Sequence, residues 1–331
     1  MITLRTIDAH AAGEPLRLVI DGCPSPRGTT MLEKREWLRK HADHLRRALM
    51  LEPRGHADMY GAMLTEAVHP GSHAGLLFMH NEGYSTMCGH GVMAVTTIAL
   101  ERGLVMPGGD GSTIVYDTPA GTIRATATFN GNGKVERVSY LGVPSFVLQG
   151  GIAVTIGSRT IRADVAFGGA FYAIVDCEAI GLPIDAGHLP QLRRAGMEIK
   201  EAIGKKQTIV HPLGAGLNGI YGTIFTGPPH GDGADLRNVT IFADAEVDRS
   251  PCGTGTGAVM AVLDLMGLLG EDRPFVHESL IGTRFTGRVA TRTVVGDYPA
   301  IVPEITGSAW VTGEHTFFVD ERDPLKEGFR L

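Results

Sequence analysis

The tetrapeptide Cys88-Gly-His-Gly91 recurs half a chain later as Cys252-Gly-Thr-Gly255, and both copies lead into helical stretches without a polar face. Val92-Met-Ala-Val95 follows the first and Ala258-Val-Met-Ala-Val262 follows the second. A helix apolar on every side must be buried all round, most simply by sheet wrapped about it. Two such helices, each introduced by the same motif, predict two similar halves. Each half then presents a thiol at the start of its central helix, and a cleft between the halves would bring the thiols face to face.

Size and composition agree with two packed units. The chain has 331 residues, 43% apolar and 20% charged, and about 150 residues per domain suggests two domains. The formal charge of −6 argues against a nucleic-acid or anionic-membrane surface. No apolar run reaches the length of a membrane span, and the opening residues show no signal-peptide pattern. The four cysteines (Cys23, Cys88, Cys177, Cys252) are far apart and form no Cys-x-x-Cys pair. Free thiols in a reducing cytosol are therefore expected, with a cytoplasmic location.

Periodicity and breakers outline an α/β chain with more sheet than helix. Residues 1–30 read as a strand pair, and Met31 to Met50 as one helix whose basic residues, Lys34, Arg35, Arg39, Lys40, Arg46 and Arg47, form a solvated face. Residues 59–80 read as sheet broken at Pro70-Gly71. A helix from Val92 to Leu100 stops at Gly103. Residues 112–176 read as strands cut by Asn130-Gly-Asn-Gly133, Gly150-Gly151 and Gly168-Gly169. A helix at 185–204, strands around 207–226, a polar loop at 227–233, a strand at 238–243 and a helix at about 256–268 complete the pattern.

A helix start carries roughly half a positive charge and unpaired N–H groups. A cysteine there is expected to have a depressed pKa, and the flanking glycines let bare N–H groups reach an anion. Two such sites facing each other would hold a small carboxylate and put one sulfur on either side of its α-carbon. A thiolate on one face and a thiol on the other would invert that carbon by concerted base and acid action, with N–H donors stabilising the developing charge. A lone cysteine is commonly just a small buried hydrophobe; the repetition lifts Cys88 and Cys252 above that reading. Cys23 and Cys177 lack the setting and read as core or loop thiols. His90 reads as a surface histidine or a ligand contact beside Cys88. Asp248 reads as a turn carboxylate or a binder of a cationic amine near Cys252. Gly253-Thr-Gly-Thr-Gly257 does not fit the dinucleotide fingerprint, and the thirteen histidines show no metal-ligand spacing. A non-catalytic protein that captures a small carboxylate is the rival from another class.

Met87-Cys-Gly-His-Gly91 and Asp248-Arg-Ser-Pro-Cys-Gly-Thr-Gly-Thr256 resemble the two signature segments of the proline racemase family, which includes proline racemases, hydroxyproline 2-epimerases and trans-3-hydroxy-L-proline dehydratases. Gly13-Glu-Pro-Leu-Arg17, Glu52-Pro-Arg-Gly-His56, His80-Asn-Glu-Gly-Tyr84, Gly168-Gly-Ala-Phe-Tyr172 and Asp323-Pro-Leu325 extend the resemblance over nearly the whole chain. It implies a diaminopimelate epimerase-like α/β fold of two pseudo-symmetric domains, each a curled, mostly antiparallel sheet around a central helix. The lobes would be residues 1–145 plus about 312–331, carrying Cys88, and 146–311, carrying Cys252. It implies a homodimer that works without cofactor or metal on a small cyclic imino acid. Cys88 and Cys252 would be the acid/base pair; Gly89, His90, Gly253 and Thr254 would line the carboxylate site, with His90 and Asp248 near the ring nitrogen. The flanks, Glu52–Ala62 above all, look most like the dehydratase branch, whose members usually carry Thr where this chain has Cys252. The second thiol favours racemisation or 2-epimerisation of proline or 4-hydroxyproline, with dehydration of trans-3-hydroxy-L-proline as the alternative.

Overall fold

The computed structural model describes residues 1–109, 111–270 and 273–331. The chain forms two compact units, Met1–Tyr140 with Ser308–Leu331, and Leu141–Gly307. It is an α/β fold in which each unit curls a mostly antiparallel sheet around one buried helix.

In the first unit, strand Ile2–Ala11 pairs antiparallel with Ala309–Val319 on one side and Glu14–Asp21 on the other. A helical crossover leads to Tyr60–Thr65, parallel to Glu14–Asp21, and a hairpin gives Ala74–His80. The short strand Tyr84–Ser85 folds back on Ala74–His80. Helix Gly89–Arg102 follows, and the chain re-enters the sheet at Thr113–Thr118, parallel to Ala74–His80, before the hairpin to Gly121–Phe129.

The second unit repeats the plan. Ser145–Ile156, Arg159–Phe167 and Phe171–Asp176 run antiparallel in turn. Helix Leu189–Lys206 crosses to Ile220–Gly227, parallel to Phe171–Asp176, and a hairpin gives Leu236–Phe242. Glu246–Asp248 folds back on it. After helix Gly253–Leu265 come Phe275–Glu278, parallel to Leu236–Phe242, then Arg284–Val295 and Tyr298–Gly307. Tyr298–Gly307 pairs with Ser145–Ile156, so that eight strands, Glu246–Asp248 excepted, close into a ring.

The central helices are enclosed as their composition demands. Every residue from Gly89 to Ala99 and from Gly253 to Val262 is buried. Gly103, left-handed at φ 63°, ends the first helix by donating its N–H to Ala99, as a glycine C-cap does. No helix among the described residues is long and apolar enough to cross a membrane.

Four local readings need correction. Residues 31–50 are two helices, Met31–His41 and Asp43–Met50, separated at Ala42 (φ −134°, ψ 13°). The break lets Leu38, Leu45, Leu49 and Met50 join one cluster with Leu4 and Met79. Nor do all the basic residues there face solvent: Lys34 donates to the Glu66 carbonyl, and buried Arg46 pairs with Asp43 while donating to the carbonyls of His80 and Asn81. Gly150-Gly151 does not cut a strand. Both lie within Ser145–Ile156 opposite the single residue Asp164, whose carboxylate accepts the Gly151 N–H, forming a β-bulge. Of the segment read as strands from 207 to 226, only the part from Ile220 is strand; 207–219 is loop with a short 3-10 turn.

The crossover is tied to the first hairpin by Arg17. Its guanidinium pairs with Asp8 at 2.8 Å and donates to the carbonyls of Leu49 (2.8 Å) and Arg54 (2.6 Å), with the Phe317 ring against it. Both charges are largely buried. Arg17→Met should therefore lower unfolding free energy by about 3–5 kcal/mol, because it takes the main counter-charge from a buried carboxylate and leaves it only Thr6 and His315. Arg39→Ala, which breaks only an exposed pair with Glu36, should leave the midpoint of the same denaturant titration in place.

Candidate active site

Each cysteine is the N-cap of its helix, and each sulfur takes over the capping work of a side-chain oxygen. Cys88 Sγ accepts the Gly91 N–H at 3.3 Å, and Cys252 Sγ accepts the Gly255 N–H at 3.3 Å. This explains the last glycine of Cys-Gly-x-Gly. A Cβ on Gly91 would stand 3.1 Å from Cys88 Sγ and 2.4 Å from Phe78 Cε1; on Gly255 it would stand 2.9 Å from Cys252 Sγ and 2.8 Å from Ile224 Cδ1. The sulfur fits over the helix end only where that residue has no side chain.

Cys88 lies beside His90, whose Nδ1 is 3.1 Å from Sγ. His90 is buried, not at the surface, and its ring meets Tyr60 edge-on at 4.9 Å between centroids. Tyr60 is fixed in turn by a 2.6 Å hydrogen bond between its hydroxyl and Ser85 Oγ. The imidazole is thereby packed against the sulfur on a helix whose first residue is Gly89.

Cys252 has different neighbours. Its thiol donates to the Tyr172 hydroxyl at 3.8 Å and lies 3.7 Å from Thr254 Oγ1, while Tyr172 and Thr254 share a 2.6 Å hydrogen bond. Asp248 Oδ1 accepts from the Ser250 N–H (2.8 Å) and hydroxyl (2.7 Å), and Ser250 Oγ accepts the Cys252 N–H. Cys252 itself has φ +59°, an uncommon conformation for a residue with a Cβ; Cys88, at φ −147°, is extended. Gly253 is the first residue of the helix. Behind it, a Cβ on Gly168 would come within 2.2 Å of the Thr254 carbonyl oxygen. The hairpin tip at Gly168-Gly169 thus rests directly on the helix's first turn.

The electrostatics of the second site depart from the sequence expectation. The Cys252 thiol is not depressed but pushed up to about 12, first by burial and then by the Asp248 charge; the Gly255 N–H opposes this without prevailing. Burial likewise raises the Asp248 carboxyl to about 6, against the lowering effect of Ser250. Cys23, half-buried, and Cys177, buried at the start of Cys177–Ile180, are free thiols remote in the chain from both motifs. The structure thus gathers Cys88, Gly89 and His90 at one helix start and Asp248, Cys252, Gly253 and Thr254 at the other. Sequence reasoning gave no role to Tyr60, Tyr172 or Ser250. Tyr172 belonged to a segment that resembles the family but carried no motif of its own.

The model of the proline racemase family matches residues 6–330. The chain belongs to that family. It is 49% identical to a trans-3-hydroxy-L-proline dehydratase of Bacillus thuringiensis subsp. konkukian, over 98% of this chain and 97% of the relative, and that name recurs among relatives 44–48% identical. It is 45% identical to a 3-hydroxyproline 2-epimerase of Burkholderia multivorans, over 99% and 98%. A crystal structure of a hydroxyproline epimerase from Agrobacterium vitis with trans-4-hydroxy-L-proline bound superposes with a TM-score of 0.92 at 32% identity, covering 100% of this chain and 97% of that one.

Two outcomes follow from the geometry. Gly91→Ala and Gly255→Ala should each lower unfolding free energy by about 1–3 kcal/mol through overpacking. Gly131→Ala, which meets nothing within 4 Å, serves as the neutral control in the same melts. The second concerns pH. Folded, Asp248 keeps its proton to about pH 6; unfolded, it loses it near pH 4. The folded state binds more protons over that interval, so the group's contribution is full below about pH 4 and is lost as pH rises to about 6. Relative to Asp248→Asn, the wild type should lose roughly 2–3 kcal/mol between pH 4 and 7 in paired unfolding titrations.

Proposed function

We propose that the chain removes the α-proton of trans-3-hydroxy-L-proline with the Cys88 thiolate and expels the 3-hydroxyl, giving pyrroline-2-carboxylate. The C2–H bond breaks, its electron pair forms the C2–C3 double bond, and the C3–O bond breaks. The proton leaves with the hydroxide as water, and the enamine tautomerises to the imine. In this substrate the 3-hydroxyl lies on the same ring face as the α-hydrogen, so one base on one face suffices. The observation that carries this reading is the Cys88 sulfur, buried at a helix start and 3.1 Å from His90 Nδ1. A base held there has N–H groups of the helix end available for the substrate carboxylate. The recurrence of the dehydratase name among relatives supports it further.

A specific observation favours a second reading, inversion at C2. Cys252 caps its helix through the same sulfur–glycine contact as Cys88 and holds its proton to about pH 12, which suits the acid that reprotonates the opposite face. The relative named 3-hydroxyproline 2-epimerase is compatible with it. Sequence reading alone ranked inversion of proline or 4-hydroxyproline first; the relatives' names move the weight to 3-hydroxyproline and to dehydration.

The two readings separate in heavy water. With trans-3-hydroxy-L-proline, dehydration yields an imine that borohydride traps, and Cys88→Ser should slow it at least 100-fold while Cys252→Ser leaves it largely intact. Recovery of the 2-epimer carrying α-deuterium, without imine and lost in Cys252→Ser, would replace dehydration with inversion. Neither imine nor α-deuterium from 3-hydroxyproline, 4-hydroxyproline or proline would sink both.

A further inference from the structure

The carbonyl of Pro251, in the peptide bond that leads into Cys252, is held by two side chains. Asn238 Nδ2 donates to it at 3.0 Å and Thr256 Oγ1 at 3.2 Å. A third residue joins those two donors: His277 Nε2 lies 2.9 Å from Asn238 Nδ2, and His277 Nδ1 lies 2.9 Å from Thr256 Oγ1. One arrangement of protons satisfies all four contacts. An amide nitrogen only donates, so Nε2 accepts; the Thr256 hydroxyl hydrogen points at Pro251, so Nδ1–H donates to the hydroxyl oxygen. Asn238, Thr256 and His277 are all fully buried, and burial pushes the imidazole down to about 3. The ring is therefore neutral near pH 7, as this tautomer requires.

The three residues come from strand Leu236–Phe242, helix Gly253–Leu265 and strand Phe275–Glu278. They converge on the peptide beside the positive φ of Cys252, a conformation that persists only when its surroundings over-determine it. Cys88, with an ordinary extended backbone, needs no such restraint.

We infer that His277 is a positioning residue: through Asn238 and Thr256 it clamps the Pro251 carbonyl, holds Cys252 in its positive-φ conformation and so sets where the sulfur stands. Its importance to turnover rests on the reading in which Cys252 protonates C2; its effect on the sulfur does not.

The test is Thr256→Val, which keeps the shape and deletes the hydroxyl, with Thr256→Ser restoring it. Iodoacetamide labelling of the full chain, read by peptide mass spectrometry, gives the alkylation rate of Cys252 relative to Cys88 as internal reference. Thr256→Val should raise that ratio about tenfold, the scale of one lost buried hydrogen bond. It should also lower kcat for α-deuterium exchange more than it changes KM, and Thr256→Ser should return both towards wild type. If Thr256→Val does not fold, His277→Gln is read the same way. A folded variant with the wild-type labelling ratio overturns the clamp, whatever its activity. A raised ratio in a protein whose wild type performs no inversion upholds the clamp and removes Cys252 from the chemistry.

Discussion

A sulfur atom that accepts a helix's own N–H sets the terms for both sites. Sulfur is large, and the N–H it accepts belongs to the third residue after it, so that residue has no room for a Cβ. Gly91 and Gly255 meet this demand, with Phe78 and Ile224 closing the remaining space. Both thiols are buried, and so are the helices behind them, with sheet supplying the cover. The repeated motif, the buried and largely apolar helices and the curled sheets occur together in both units.

The two helix starts share this contact but not their electrostatics. Cys88 has an imidazole within hydrogen-bonding range, whereas Cys252 has a carboxyl, a phenol and a hydroxyl. At Cys252 the Gly255 N–H competes with burial and a nearby acid, and it loses: desolvation can shift a buried group by several units, more than a single N–H donor recovers. A sulfur beside an imidazole suits a base and one held as a thiol suits an acid. The two readings proposed above draw on that contrast between the two helix starts.

Much of the site was legible because its chemistry is local. Cys-Gly-x-Gly, the apolar helices and the stop at Gly103 are each visible within a few residues. The break at Ala42 was not, since no Gly or Pro marks it; the shared cluster of Leu38, Leu45 and Met50 explains the turn. Lys34 and Arg46 looked like solvated charges because sequence does not show the carbonyls that take them up. Gly150-Gly151 reads as a turn until Asp164 on the neighbouring strand is seen to bind it. Tyr172, Asn238 and His277 reach the second helix start from separate strands, and long-range convergence of that kind leaves no pattern along the chain.

Gly168 gives the second unit a mechanical property. With no side chain between the hairpin tip and the Thr254 carbonyl, there is no slack for either to absorb displacement. Any side chain at Gly168 would therefore have to displace the turn that follows Cys252.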